Sequence, residues 1–117
     1  MDSLIKHLII ELYGCDKDRA NDVVYIEKIV NEMLVSINIK PINSLVFHQQ
    51  TWGLIATMIF DEGYLGIQTW EKFGYVSIDV HFDIDVENEK VLTFLVRKFG
   101  ATKYSASEIK RGNQEEG

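Results

Sequence analysis

Residues 61–79 read DEGYLGIQTWEKFGYVSID. Two alternating runs separated by turn residues predict a turn, a strand, a second turn and another strand. In the first run Leu65, Ile67 and Thr69 share one face, while Tyr64, Gly66, Gln68 and Trp70 share the other. Gly66 leaves a gap among an aromatic ring, an amide and an indole. A flat ligand would fill that gap, and so would a bulge or a close-packed neighbour. The second run, Gly74 to Asp83, sends Val76, Ile78, Val80 and Phe82 one way. Tyr75, Ser77, Asp79, His81 and Asp83 point the other.

Outward from this pair the same periodicities continue. Leu4 to Tyr13 predicts a strand with Leu8, Ile10 and Leu12 on one face and His7, Ile9, Glu11 and Tyr13 on the other. From Lys17 to Ile37 the period changes: Val23, Ile26, Val30, Met33 and Ile37 form the stripe of one amphipathic helix. Asp16 or Asp18 is placed to cap its start, and Asn38 with Pro41 marks its end. Ser44 to Gln49 and Leu54 to Phe60 read as strands around a turn at residues 50–53. Asp85 is expected to cap a second helix, Val86 to Phe99, stopped by Gly100. Ala101 to Ile109 predicts the last strand, and 110–117 a polar, frayed tail.

The order β, α, several β, α, β specifies an α+β fold: a ferredoxin-like split βαβ sandwich, its antiparallel-rich sheet carrying two helices on one face. Residues 1–109 form a single domain. The apolar strand faces go beneath the helices, so His7, Glu11, Tyr64, Gln68, Trp70, Tyr75, Asp79 and His81 gather on the opposite face. A sheet face so rich in aromatics calls for a cover: another subunit, a ligand, or both. A homo-oligomer, dimer or trimer, with its site at the subunit interface is the expectation.

Composition narrows the function classes. The 117 residues are 46% apolar and 26% charged, ordinary usage for one globular core. With 12 basic and 18 acidic residues the net charge is −6, and no basic stripe stands out. That argues against a nucleic acid polymer as partner and is compatible with a cationic small ligand. No apolar run is long enough to span a bilayer and no signal-peptide pattern opens the chain, so no membrane partner and a cytoplasmic location are expected. A single cysteine, Cys15, suits that reducing setting. His7 and Glu11, four apart on one strand face, suggest either a binding pair or a hydrogen-bonded structural pair. His81, Asp83 and Asp85 alternate as ligands to a divalent metal would, but a solvated strand end is the plainer reading and no metal is expected.

The pattern resembles the bacterial S-adenosylmethionine decarboxylases, small pyruvoyl enzymes of polyamine synthesis. That family carries a glutamate-serine-histidine triplet, a strand ending His-Thr-Trp-Pro-Glu, then Tyr-Gly-Tyr and Ile-Asp. The matching residues here are Glu62, Thr69-Trp70, Gly74-Tyr75 and Ile78-Asp79. The likeness reaches back to His7-Leu8, Glu11, Tyr13 and Cys15-Asp16, and forward to Arg111-Gly112. It implies the same fold and a sulfonium nucleoside as ligand. The departures bear on the chemistry. Gly63 stands where the resemblance implies the serine that cleaves its own backbone and becomes the pyruvoyl group. Tyr64 and Gln68 replace two histidines, and Phe82-Asp83 occupies the place of a catalytic cysteine. No cofactor, and in particular no pyruvoyl group, is therefore expected.

Two functions fit a chain that keeps the ligand and loses the electron sink. The first is a lyase. The substrate's own carboxylate attacks its γ carbon and releases homoserine lactone and methylthioadenosine, a route the small phage-type S-adenosylmethionine lyases illustrate by analogy. Glu62, Tyr64 and Gln68 are its candidate catalytic residues; His7, Glu11, Trp70, Lys72 and Tyr75 are candidates for substrate binding. Lys72 replaces the glutamate that the resemblance assigns to the ribose hydroxyls, which suits a phosphate there. S-adenosylmethionine joined to AMP, a second messenger of type III CRISPR defence, carries such a phosphate. The second function is non-catalytic: a regulatory partner of an active decarboxylase, or a nucleoside sensor.

Overall fold

The computed structural model describes residues 3–113. In chain order they form β1 (Ser3–Tyr13), α1 (Lys17–Ala20), α2 (Val23–Ser36), β2 (Val46–Gln49), β3 (Gly53–Phe60), β4 (Gly63–Trp70), a 3-10 turn (Glu71–Phe73), β5 (Tyr75–Phe82), α3 (Asn88–Phe99) and β6 (Lys103–Asn113). The six strands make one sheet in the order β2-β3-β4-β5-β1-β6, every neighbouring pair antiparallel. It follows that β1 and β4 run parallel on either side of β5, and β5 and β6 run parallel on either side of β1. These are the two interleaved split βαβ units of a ferredoxin-like fold, widened at one edge by β2 and β3.

Alternation decides which face is covered. Leu8, Ile10, Leu12, Leu54, Ala56, Met58, Leu65, Ile67, Val76, Ile78, Val80 and Phe82 are buried in one core. That core also takes Ile26, Ile29, Val30, Met33 and Leu34 of α2 and Val91, Leu95 and Phe99 of α3. Both long helices therefore lie on the same side of the sheet. Gly100 ends α3 in the left-handed conformation (φ +64°), which a residue without Cβ adopts at no steric cost.

Several boundaries differ from the sequence reading. The expected helix over 17–37 is two: the apolar stripe begins only at Val23, and Asp22 accepts the Tyr25 amide at 3.0 Å, starting α2 afresh. Asp16 caps the short α1 through the Arg19 amide at 3.1 Å. Asp85 caps nothing; α3 starts at Asn88, and Glu87 precedes it without a side-chain cap. The strand expected over 44–49 is confined to Val46–Gln49.

The last strand does not stop at Ile109. Lys110, Arg111 and Asn113 continue the ladder against Lys6, Ile5 and Ser3. An edge strand exposed along its whole length can be polar on both faces, and for that reason its end reads as a tail. Residues 114–117 of the expected tail lie outside the described residues.

Candidate functional site

The uncovered face of the sheet carries side chains at both ends of β4. At the Gly63 end, register places Tyr64, His81 and His7 side by side on β4, β5 and β1. Their rings stack: Tyr64 on His81 with centroids 4.1 Å apart, and His81 on His7 at 4.0 Å. His7 Nε2 meets Asp79 Oδ1 at 2.9 Å. Clamped between two rings, His81 is only 8% exposed. Burial pulls its pKa below the ordinary imidazole value, helped by His7 and Arg111 and opposed by Asp79 and the Tyr64 backbone. Its Nδ1 is buried with no hydrogen-bond partner of good geometry.

Beside this stack lies a cavity of about 230 Å³ bordered by Ile5, Phe60, Glu62, Tyr64, His81 and Asp83. The Glu62 carbonyl accepts the Asp83 amide at 2.8 Å, while its Oε1 is buried with no hydrogen-bond partner. Gly63 adopts φ +153°, and a Cβ built on it would lie 1.8 Å from the His81 carbonyl oxygen. A side chain at this position would strain the backbone and force the β4–β5 ladder to shift. A pyruvoyl group derived from residue 63 does not fit, because glycine has no side-chain hydroxyl from which to form it.

Along β4 the face opens. A Cβ on Gly66 would have nothing within 4 Å, so the gap suggested by the sequence is an open notch, flanked by Asp79 across the strand pair. Gln68 follows on the same face, opposite Ile55 and Ser77. At the far end Trp70 stacks on Trp52, centroids 4.1 Å apart and 17° from parallel. A cavity of about 410 Å³ borders this indole pair, lined by Lys17, Thr51, Glu71, Lys72 and Phe73 as well as the two tryptophans. Nearby, the Tyr75 hydroxyl donates to Glu11 at 2.7 Å and Ser105 donates to the same carboxylate at 3.3 Å. Burial and the Glu11 carboxylate push the Tyr75 phenol up to about 12.

The predicted residues therefore form two groups. Glu62, Tyr64 and His7 gather at one end, and Trp70, Lys72, Tyr75 and Glu11 at the other, with Gln68 between. At roughly 3.3 Å per residue, Gly63 and Trp70 stand about 23 Å apart. His7 and Glu11 do not pair with each other as one sequence reading had it; each is taken by a residue of β5. No three His, Cys, Asp or Glu side chains are grouped to hold a metal ion among the described residues. Sequence reasoning placed His81 and Asp79 on this face but left them out of the site, and it missed Trp52 and Lys17. Trp52 sat in an anonymous turn, and only the Gly53–Trp70 register brings it against the second indole.

Comparison with known proteins identifies the family and the fold. A profile described as S-adenosylmethionine decarboxylase matches residues 6–112. The chain belongs to the S-adenosylmethionine decarboxylase family. It is 34% identical over 114 residues to the S-adenosylmethionine decarboxylase proenzyme of Carboxydothermus hydrogenoformans, covering 96% of this chain and 89% of that one. The proenzyme of Clostridium kluyveri is 32% identical, with 96% and 90% covered. The crystal structure of the adenosylmethionine decarboxylase of Aquifex aeolicus superposes with a TM-score of 0.81 at 18% identity, covering 100% and 98%. That likeness is one of fold. Among the described residues no helix is long and apolar enough to cross a membrane.

Proposed function

We propose that this family member is a cytoplasmic lyase acting on a sulfonium nucleoside of the S-adenosylmethionine type, and not a decarboxylase. The observation that carries the reading is Gly63: the position has no hydroxyl from which a pyruvoyl group could form, and a Cβ there would strain the backbone. A sulfonium substrate needs no electron sink. Its carboxylate oxygen bonds to the γ carbon as the carbon–sulfur bond breaks, and the electron pair leaves on sulfur. The products are homoserine lactone and a neutral thioether nucleoside. The protein's part is to fold the tail for attack and exclude water. Tyr64 offers its ring face to the sulfonium and Glu62 complements the charge. Gln68 reaches the ligand's polar groups across the Gly66 notch.

The finer reading names the substrate as the conjugate of S-adenosylmethionine with AMP, the second messenger of type III CRISPR defence. Support comes from the far cavity, where Lys17 and Lys72 outnumber Glu71 beside two stacked indoles, a setting for a phosphate and a base. A ligand with an added nucleotide suits a face whose two ends lie about 23 Å apart. His7, Glu11 and Tyr75 complete its surroundings. The active form in this reading is a homo-oligomer, dimer or trimer, whose interface covers the open face. Incubation with S-adenosylmethionine and with the AMP conjugate, followed by chromatography, is the test. Methylthioadenosine or its AMP conjugate, together with homoserine lactone, is expected. Carbon dioxide and a decarboxylated nucleoside as products would overturn the reading.

The second reading is a non-catalytic partner of an active decarboxylase, or a nucleoside sensor. It is favoured by an exposed aromatic face on a fold shared with the Aquifex aeolicus enzyme. Ligand binding without any product, or a change in a decarboxylase's rate on mixing, would select it.

A further inference from the structure

The sheet has two outer edges, β2 and β6, and only the first is guarded. β2 is four residues long, and past its start Asn43 Nδ2 donates to the Ile59 carbonyl of β3 at 2.7 Å. Glu27 in turn holds the Leu45 amide at 2.9 Å, fixing the loop that covers this edge. β6 is the opposite case. It is exposed along all of Lys103–Asn113, contains no proline, and has β1 as its one strand neighbour among the described residues. The outward backbone groups of such a strand are a template for another.

Side chains along β6 decide what kind. Lys103 and Arg111 lie on the open face, opposite Tyr13 and Ile5; Ala106, Glu108 and Lys110 lie on the helix side, opposite Ile10, Leu8 and Lys6. In a chain of net charge −6 this edge is basic, for Glu108 is its single carboxylate. Glu108 is already engaged: Asn88 Nδ2 donates to it at 2.7 Å and Lys6 Nζ lies 3.7 Å away. Lys103, Lys110 and Arg111 make no salt bridge among the described residues. Midway along, a cavity of about 130 Å³ opens between β6 and α3. Leu8, Leu92 and Ala106 are its apolar part, which suits one aliphatic side chain. Asn88, Glu89, Ser107 and Glu108 complete its lining, and the two carboxylates turn an acidic side chain away.

We propose that the free edge of β6 docks an extended acidic peptide of a partner protein as a seventh strand. Its main chain pairs with residues 103–111. Run antiparallel, it sets carboxylates opposite Arg111, Lys110 and Lys103 and an aliphatic residue opposite Ala106. Along the partner this is a pair of acidic residues, an aliphatic one four places after the second, and another acidic one three places later. Main-chain hydrogen bonds supply the affinity, and the cations and the cavity supply the choice of sequence. A second copy of β6 is a poorer match: in the register of full overlap Glu108 would face its own copy, and each strand brings more cations than anions. The surface is separate from the proposed catalytic face, since no residue of β6 lines either cavity there. It stands whether or not the lyase reading does.

The probe is a peptide capped at both ends, Glu-Glu-Thr-Ser-Thr-Val-Thr-Ser-Glu, added to the full chain. Calorimetry gives its affinity and amide hydrogen exchange locates it. Exchange should slow in β6 and stay unchanged in β2. Putting aspartate for the valine should weaken binding about tenfold, as should the double variant Lys103→Glu with Lys110→Glu. Added salt should weaken the parent complex. Of two peptides N-methylated at alternate residues, the one methylated on the side facing β6 should lose binding and the other keep it. Equal binding of those two would mean charge attraction without a strand and would overturn the proposal. Unchanged affinity in the double variant, or no slowing in β6, would overturn it as well. Protection of β6 that rises with protein concentration and resists the peptide would make the occupant a second copy and reject an acidic partner. Should the double variant fail to fold, the N-methylated pair decides.

Discussion

The carbonyl oxygen of His81 lies 1.8 Å from where a Cβ on Gly63 would stand. Gly63 pairs with Phe82 in the β4–β5 ladder, so His81 precedes its partner and cannot retreat without shifting the ladder. Substituting Gly63→Ser would return the hydroxyl without the space. The variant should lose about 2–4 kcal/mol of stability in denaturant titration, from overpacking and a φ that side chains rarely adopt. It should also remain one chain by intact-mass spectrometry, as should the parent. Two fragments split beside Glu62 would contradict the structural argument directly.

Oligomerisation is the second expectation. Ile59 is 67% exposed, Tyr64 48% and Ile109 46%, all on the face away from the helices. Sedimentation at micromolar concentration should give a species larger than the 13.5 kDa chain. Introducing charge by Ile59→Asp should move the population toward monomer while the helix signal in circular dichroism is kept. A parent that sediments only as a monomer would mean that a ligand alone covers this face.

Much of the fold was legible because its core faces alternate without interruption. Leu65-Ile67-Thr69 and Val76-Ile78-Val80-Phe82 each give the strand and its buried side in one pattern. Where the reading failed, the deciding force was local or distant. Asp22 opens a new helix through one side-chain hydrogen bond that periodicity does not register. The end of β6 is strand because β1 supplies its main-chain partners, and its own side chains say nothing of that. The site followed the same rule. Face membership was readable for the candidates on strands, but not for Glu62 and Lys72 in turns, and ladder register was not readable, so the division into two ends was hidden. The His81 stack and the Trp52–Trp70 pair exist only through register.

The reacting end supplies the third prediction. Tyr64 loses nothing of its ring in Tyr64→Phe, whereas Glu62→Gln removes a charge of opposite sign to a sulfonium. If the lyase reading holds, Glu62→Gln should slow methylthioadenosine release about ten- to hundredfold, and Tyr64→Phe by a smaller factor. Chromatographic assay of both variants, with thermal melts to show intact folding, decides this. Full activity in both removes the two residues from the mechanism.

Cys15 gives a prediction about stability alone. The thiol is buried, and burial raises its pKa from 9.0 to about 11. The folded state therefore holds this proton where the unfolded state has released it. Stability from this group is complete below pH 9 and is lost as pH rises toward 11. Denaturant midpoints measured across that range should fall, and in Cys15→Ala the fall should be shallower. Tyr75, raised to about 12 by burial and Glu11, adds a second alkaline loss above pH 10 that Cys15→Ala leaves in place. Identical slopes in parent and variant would mean that the thiol titrates no differently in the two states.

Lys72 carries the finest claim about the substrate. It borders the cavity that also holds Lys17, Glu71 and the stacked indoles Trp52 and Trp70. A phosphodiester at the ribose would bring its negative charge to these two lysines, and the attached adenine could stack on an indole. One charge-assisted contact changes affinity by about tenfold. The parent should thus prefer the AMP conjugate over S-adenosylmethionine in kcat/KM. Lys72→Glu should erase most of that preference and leave turnover of plain S-adenosylmethionine nearly as it was. Raising ionic strength should narrow the gap in the parent, because the cavity is open and its charges are screened. Trp52→Ala, acting through stacking, should weaken the conjugate with little dependence on salt. Equal turnover of both substrates, unaltered in Lys72→Glu, would reduce this lysine to a surface charge and leave the plain sulfonium nucleoside as the substrate.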